Sequence, residues 1–454
     1  MFRPALITAA VLAAALTGTG HAADPFATAA GIAPLPCARA PAAGALGLAE
    51  VVDLALCNNP QTREAWAAAR AQAGAVGVAR AAYLPTLNAT LGSSRVRTDV
   101  EDKVATRATV NSGSLAFSWL LYDFGARDAT LESARQLLAA AVATQDVATQ
   151  AVFLAALQAF YQVHAQQAAV DAAEQSETSA RESLAAAEAR YRAGSATPAD
   201  RLQAQTALSQ ATLVRIRADG ELKNARGTLA NAVGLDAHRP PALAPLAASE
   251  PPAGFERDVD ALIAEARSRR PDLAAAEAQA QAARATVDAT RAAHLPTISL
   301  SAAPTWQDNG GLATQSSSIG VSVNIPLFSG FGQTYKVRTA EAQAEQKDAQ
   351  RDRLRLQVAL DVWKAYQNVL TATQALKSTA DLLAAAEQSE RVALGRYRAG
   401  VGSILDLLAA QSALAAARQQ RVQSAYDWNV SRATLAQAVG ALDTGILPVL
   451  TGKP

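Results

Sequence analysis

The chain has 454 residues, half of them apolar and 18% charged, with a formal net charge of +1. That length accommodates two or more domains, and the apolar content excludes a disordered chain. Near-neutrality without a Lys/Arg cluster excludes a phosphate-tracking surface, so no nucleic-acid partner is expected.

Met1-Phe2-Arg3, an apolar run from Ala5 to Leu16 and small residues up to Ala22-Ala23 are the three parts of a secretory signal peptide, residues 1–23. The run is too short to span a bilayer. No cysteine follows it directly, so a lipidation site is not expected. Nor does a later segment offer the ~18 uncharged apolar residues of a transmembrane helix. Any hold on a membrane must then come from β-strands. Residues 24–47 read as an extended leader. In an oxidising compartment the two cysteines, Cys37 and Cys57, read as a structural disulfide clipping this leader to the first helix. Two buried free thiols are the alternative reading.

The chain repeats itself. Asn59-Pro60 opens a stretch ending in Tyr83-Leu84-Pro85, and Arg270-Pro271 opens another, equally spaced, ending in His294-Leu295-Pro296. Tyr191-Arg192-Ala193-Gly194 recurs as Tyr397-Arg398-Ala399-Gly400, and Ala232-Val233-Gly234 as Ala438-Val439-Gly440. Residues 48–236 and 257–442 therefore form two repeats, a period far longer than a solenoid's. A Pro-rich linker, 237–256, joins them, and residues 443–454 are a tail.

Each repeat opens with Ala-, Arg- and Glu-rich sequence predicted as one helix, 48–82 and 259–293, stopped by the Leu-Pro dipeptide. The apolar period then changes to two. Leu87, Ala89 and Leu91 alternate with Asn88, Thr90 and Gly92, and Ile298, Leu300 and Ala302 with Ser299 and Ser301. Polar loops are expected over 96–112 and 307–317. A second alternation follows each, through Leu115, Phe117, Trp119 and Leu121, and through Ile319, Val321, Val323 and Ile325. Each repeat thus contains one hairpin, with strands of about ten residues, the length and pattern of transmembrane β-strands. Four strands cannot close a barrel, so several copies must share one.

Very long helices follow, 126–192 and 333–398, each about 100 Å at 1.5 Å per residue. Val358, Val362, Ala365, Val369, Ala372, Leu376, Thr379 and Leu383 keep the 4,3 spacing of a left-handed coiled coil. Gly194 and Gly400 end these helices as C-terminal caps. Thr197 and Ser403 then read as N-caps of a returning helix, with Asp200 and Asp406 at its third position as capping boxes. Tyr191 and Tyr397 read as packing residues at the tip.

His21, His164, His238 and His294 stand singly, without metal-ligand spacing. No cysteine or serine lies in a nucleophile motif, and no Gly-x4-Gly-Lys-Ser/Thr loop is present. No enzyme activity, catalytic residue, cofactor or metal is expected.

The order and duplication of these motifs, together with Pro326-Leu327-Phe328-Ser329-Gly330-Phe331-Gly332 after the last strand, resemble the TolC-like outer-membrane efflux proteins over nearly the whole mature chain. The resemblance implies an α+β membrane protein: a shared transmembrane β-barrel, four strands per chain, continuous with a long periplasmic α-helical coiled-coil barrel. It also implies a homotrimer in the outer membrane extending into the periplasm. The implied partners are the lipid bilayer, a periplasmic adaptor (membrane fusion protein), an inner-membrane ABC or proton-driven transporter that supplies the energy, and the transported cargo. In the family an acidic ring closes the tunnel near the helical tip. The positions that match here are Asp406 and, in the first repeat, Asp200, with Tyr397 as a further constriction candidate. The sequence departs from the family where a second acidic position is Ala409 and a constraining arginine position is Gly402. The Cys37 and Leu56-Cys57-Asn58-Asn59-Pro60 region resembles the toxin-export channels of type I secretion, such as the cyclolysin secretion component. A drug or small-molecule efflux channel is the alternative cargo reading. A periplasmic adaptor or a free coiled-coil spacer is the alternative from another class.

Overall fold

A computed structural model describes residues 24–32, 37, 44–99, 106–246 and 258–442. The signal peptide, the tail and residues 247–257 of the linker lie outside the described residues. The elements, in chain order, are α1 (Leu48–Asn58), α2 (Pro60–Ala81), β1 (Thr86–Thr98), β2 (Thr106–Tyr122), α3 (Ala126–Arg192) and α4 (Pro198–Ala232). They recur as α5 (Val259–Arg269), α6 (Pro271–Ala292), β3 (Thr297–Asn309), β4 (Ala313–Asn324), α7 (Gly332–Arg398) and α8 (Ile404–Val439).

Two sequence expectations need correction. The opening helix of each repeat is two helices, because the residue before each proline is driven out of the helical region. Asn59 sits at φ −64°, ψ 129° and Arg270 at φ −68°, ψ 121°. The strands are also longer than expected, 13, 17, 13 and 12 residues. Val96 and Ser112 lie within paired strands, and the second hairpin turns over residues 310–312. Small polar residues that read as loops pair across the sheet instead, as Ser316 does with Thr305 through a hydroxyl contact at 2.8 Å.

The chain divides into two compact units. Among the described residues, one comprises 24–32, 67–99, 106–142 and 275–351. It holds a four-stranded antiparallel sheet in the order β1-β2-β3-β4, so the two hairpins join through β2 and β3. The other comprises 37, 44–66, 143–246, 258–274 and 352–442. Its core gathers Val51, Val52, Phe153, Leu157, Leu229 and Val233, all at most 2% exposed. A second cluster gathers Leu262, Val358, Val362, Val369 and Val439. The coiled-coil positions Val358 to Leu376 are buried as the 4,3 spacing requires. The leader enters this unit through a disulfide between Cys37 and Cys57, with Cα atoms 4.6 Å apart. Leu46 then pairs with the linker, its N–H donating to the Ala242 carbonyl at 2.8 Å while its carbonyl accepts from Ala244 at 2.9 Å.

The repeated Ala-Val-Gly motif has a packing role. Gly234 and Gly440, at φ 75° and 78°, end α4 and α8 and lie against the breaks between α1 and α2 and between α5 and α6. A Cβ on Gly234 would stand 2.6 Å from the Asn58 carbonyl oxygen, and one on Gly440 3.0 Å from Arg269 backbone. The break in the first repeat is also tied by Asn59, whose amide donates to the Ala232 carbonyl at 3.0 Å. In the second repeat Arg270 does this work through Asp272 at 2.6 Å and Asp361 at 3.2 Å.

Gly194 has the same backbone conformation as Gly234 but open space around it. Gly194→Ala should therefore cost only the left-handed backbone term, about 1–2 kcal/mol. Gly234→Ala, which must also displace the Asn58 backbone, should lower the thermal midpoint of the full chain in detergent clearly further.

Candidate functional site: a two-faced sheet and a capped helical tip

The strand register sorts the sheet into two chemical faces. Leu87 pairs with Phe117 and Ala89 with Leu115. Phe117 continues to Ala302 and Trp119 to Leu300, which in turn face Ile319 and Val321. The opposite face carries Asn88, Thr90, Ser114, Ser118, Ser301 and Ser316, small and uncharged. The apolar face is open in the single chain, with Leu91 69% and Ile319 79% exposed. A water-soluble monomer rarely leaves so continuous an apolar patch uncovered. Within the described chain β1 and β4 each have one unpaired edge, which a hydrocarbon environment does not tolerate.

The two helical tips share one backbone design. Gly194 and Gly400 adopt φ 76° and 78°, and Ser195 and Val401 donate back to the Arg190 and Arg396 carbonyls at 2.9 and 3.1 Å. Thr197 and Ser403, both at φ −86°, ψ 157°, then cap α4 and α8. Asp200 N–H donates to Thr197 Oγ1 at 3.2 Å, and Thr197 N–H to Asp200 Oδ2 at 2.8 Å. Asp406 and Ser403 repeat this at 3.1 and 3.4 Å. Both carboxylates thus bond within their own turns. Asp406 is exposed and Asp200 half-buried.

The tyrosines break the symmetry. Tyr191 is 38% exposed, whereas Tyr397 is 3% exposed and packs with Ile404 and Leu407. Arg190, from the first tip, lies 4.8 Å above the Tyr397 ring and donates to its carbonyl at 3.0 Å. Arg201 lies 5.2 Å from the Tyr191 ring. Gly402 is also crowded: a Cβ there would meet Arg396 and the Tyr397 backbone at 3.1–3.2 Å. That crowding gives a local reason for glycine at this position.

Sequence reasoning missed four contacts on the stalk behind the tips. Gln411 on α8 donates to Ser183 Oγ on α3 at 3.0 Å. Glu177 on α3 accepts from Thr212 at 2.8 Å and from Arg215 at 2.7 Å, both on α4. Arg421 on α8 donates to the Leu376 carbonyl on α7 at 2.6 Å. Only the Glu177–Arg181 pair, at 3.2 Å with i,i+4 spacing, left a signal in the sequence. The Thr212 hydrogen bond first, then the Arg215 hydrogen bond and the charges of Arg215 and Arg181, hold the Glu177 carboxyl below its ordinary value against the opposing effect of burial.

Residues 51–235 and 262–441 match the family described as Outer membrane efflux protein, one match in each repeat. The chain belongs to the outer membrane efflux protein family. It is 33% identical over 405 residues to Protein CyaE of Bordetella pertussis, covering 87% of this chain and 84% of that one. It is 25% identical over 415 residues to Outer membrane protein TolC of Vibrio cholerae, covering 87% and 91%. Its fold matches the CmeC outer membrane channel of Campylobacter jejuni with a TM-score of 0.80 at 17% identity, over 89% of each chain. An outer membrane efflux protein is a channel, and this one lies in the outer membrane and extends into the periplasm. The apolar sheet face is its lipid face and the polar face its lumen. The adaptor and free-spacer alternatives fall with this assignment.

Two outcomes follow from these geometries. Ile319→Arg, on the lipid face, should oppose insertion by about 2–4 kcal/mol, whereas Ser318→Arg, on the lumen face, should insert normally; refolding into lipid vesicles measures both. Because the folded-state value of Glu177 is depressed, its stabilisation is present above about pH 4.5 and lost as pH falls through the lower folded value. Thermal melts of the wild type and Glu177→Gln should accordingly converge under acid conditions.

Proposed function

We propose that the chain is the passive exit duct of a tripartite export system. In this reading it is a homotrimer in which four strands from each of three copies close one barrel. A periplasmic adaptor docks on it, and an inner-membrane ABC or proton-driven transporter supplies the energy. The observation that carries the duct reading is the lumen face of the sheet. Its Ser, Thr, Asn, Gly and Ala side chains offer neither the aromatic anchors nor the charges by which a site would retain a solute.

The cargo we assign is a protein toxin of the type I secretion class, such as an adenylate cyclase-haemolysin. The resemblance of the Cys37 and Leu56–Pro60 region to toxin-export channels supports this. So does the higher identity to the Bordetella pertussis chain, 33%, than to Vibrio cholerae TolC, 25%. Small-molecule efflux is the second reading, favoured by the family description.

Asp406, exposed at the tip, is assigned to the constriction, with Asp200 as its weaker counterpart. A carboxylate can cap a helix and also face a lumen, since its two oxygens accept several hydrogen bonds. Tyr397 is assigned a positioning role, because its ring is buried and held by Arg190.

Single-channel recording in planar bilayers tests the duct and its gate together. The expected result is a discrete cation-selective pore whose selectivity and block by multivalent cations are lost in Asp406→Ala. A pore unchanged by the mutation would return Asp406 to helix capping, and no pore from the folded assembly would overturn the duct. For the cargo, a deletion strain should lose toxin release while keeping its drug resistance; the converse favours small-molecule efflux.

A further inference from the structure

At the outer end of the first hairpin the two faces of the sheet differ in charge. The long helices leave the sheet from the opposite strand ends, toward the periplasm, so this is the exterior end. On the lipid face Leu91 of β1, Gly113 of β2 and Trp306 of β3 stand in one row. The Leu91 and Trp306 side chains close over the bare glycine, 3.3 and 3.9 Å from where a Cβ would lie. Trp306, 46% exposed, sits where the apolar side chains of this face end, the level of an aromatic girdle at a membrane interface. Beyond that row the same face continues as Ser93, Arg95 and Arg97 on β1 and as Asn111, Thr109 and Arg107 on β2. Arg95 stands about 14 Å along its strand from Leu91.

The cations are sorted by face. The lumen face of the same stretch carries Ser94, Val96, Thr98, Thr106, Ala108 and Val110, without a charge. Arg97 and Arg107 are direct cross-strand partners. Like charges so placed, with Cβ atoms about 5 Å apart, oppose strand pairing, and Arg95 lies on the diagonal from Arg107 at about 7 Å. Arg97 finds Asp99 at 3.1 Å, with both side chains more than half exposed. Arg95 and Arg107 make no ion pair among the described residues. Asp308, on the same face of β3, accepts from the Gly311 N–H at 2.9 Å. By sequence, residues 93–111 set Arg95, Arg97, Lys103 and Arg107 against Asp99, Glu101 and Asp102. The strand that joins the β1 edge in the shared barrel is β4 of another copy, whose outer end, 313–318, carries no charge. Pairing of that edge occupies backbone groups and leaves the arginines on the outer surface.

We propose that this face binds a phosphorylated glycolipid of the outer leaflet, a phosphate resting on Arg107 between Arg97 and Arg95 and the acyl chains descending along Leu91, Trp306 and Leu115. A phosphate there turns the cross-strand repulsion into charge-assisted hydrogen bonds from neighbouring guanidiniums. The interval between the apolar limit and the arginines, occupied by Ser93, Asn111 and Thr109, is what a sugar unit between acyl chains and phosphate would span. The site goes beyond the duct reading and does not depend on the cargo. It requires only that the sheet crosses the outer membrane.

Native mass spectrometry of the full-length protein in detergent, titrated with lipid A carrying both its phosphates, tests the assignment. Arg107→Gln should weaken binding about fivefold, and adding Arg95→Gln should weaken it further. Arg107→Lys should retain most of it, and Arg353→Gln, at an exposed position on α7, should leave it unchanged. Arg107→Glu separates binding from folding. It sets a carboxylate opposite Arg97, so the thermal midpoint without lipid should hold or rise while binding falls further than in Arg107→Gln. Equal binding by the doubly substituted protein and the wild type, with melting curves showing both folded, would overturn the proposal. So would equal binding of lipid A stripped of its phosphates, which would leave only adsorption to the apolar face. Displacement by inorganic phosphate at matched concentration would overturn the lipid assignment and leave a free-phosphate site, and equally tight binding of phosphatidylglycerol would overturn the glycolipid.

Discussion

Every backbone N–H and C=O group that enters hydrocarbon must find a partner within protein, because no water is present to supply one. The four-stranded sheet satisfies this internally across three ladders and leaves the outer edges of β1 and β4 unpaired. Much of the remaining organisation follows from that deficit. The edges must pair with other copies, so the barrel is shared. The strands must keep one face apolar and the other small and polar, which the alternation of Leu, Phe, Ile and Val with Ser, Thr and Asn achieves. Duplication is an economical source of such a sheet, since two hairpins of one design join directly through β2 and β3.

The helical parts answer a different problem, that of long helices with little core to bury. Alanine and valine at the seam positions allow close approach, and the larger apolar side chains concentrate where α1, α3 and α4 meet in one cluster and α5, α7 and α8 in another. At these clusters the chain places its least replaceable glycines. Gly234 and Gly440 let a helix end lie against the proline-induced break in another helix, with no room for a methyl group.

The tips show how a repeat diverges without changing its backbone. Both turns use the same glycine conformation, the same capping box and nearly the same residues. Yet the first supplies an arginine that covers the tyrosine of the second, and Tyr191 remains exposed while Tyr397 is buried. The acidic side chains of both tips satisfy N–H groups within their own turns.

The sequence by itself determined the repeat, the two-faced strands, the long helices and the capped tips, because each rests on periodicity or on residue types that act within a few positions. It misjudged the strand ends, since serine and threonine pair across a sheet as readily as they populate loops, and only the partner strand decides which. It ran α1 into α2, although Pro60 and Pro271 carried the signal for a break. The tertiary structure alone decided which tyrosine is buried and which glycines touch another helix. It also decided that Glu177 is held by Thr212 and Arg215. Those depend on contacts between residues tens to hundreds of positions apart, and side-chain spacing along one strand or helix holds no record of them.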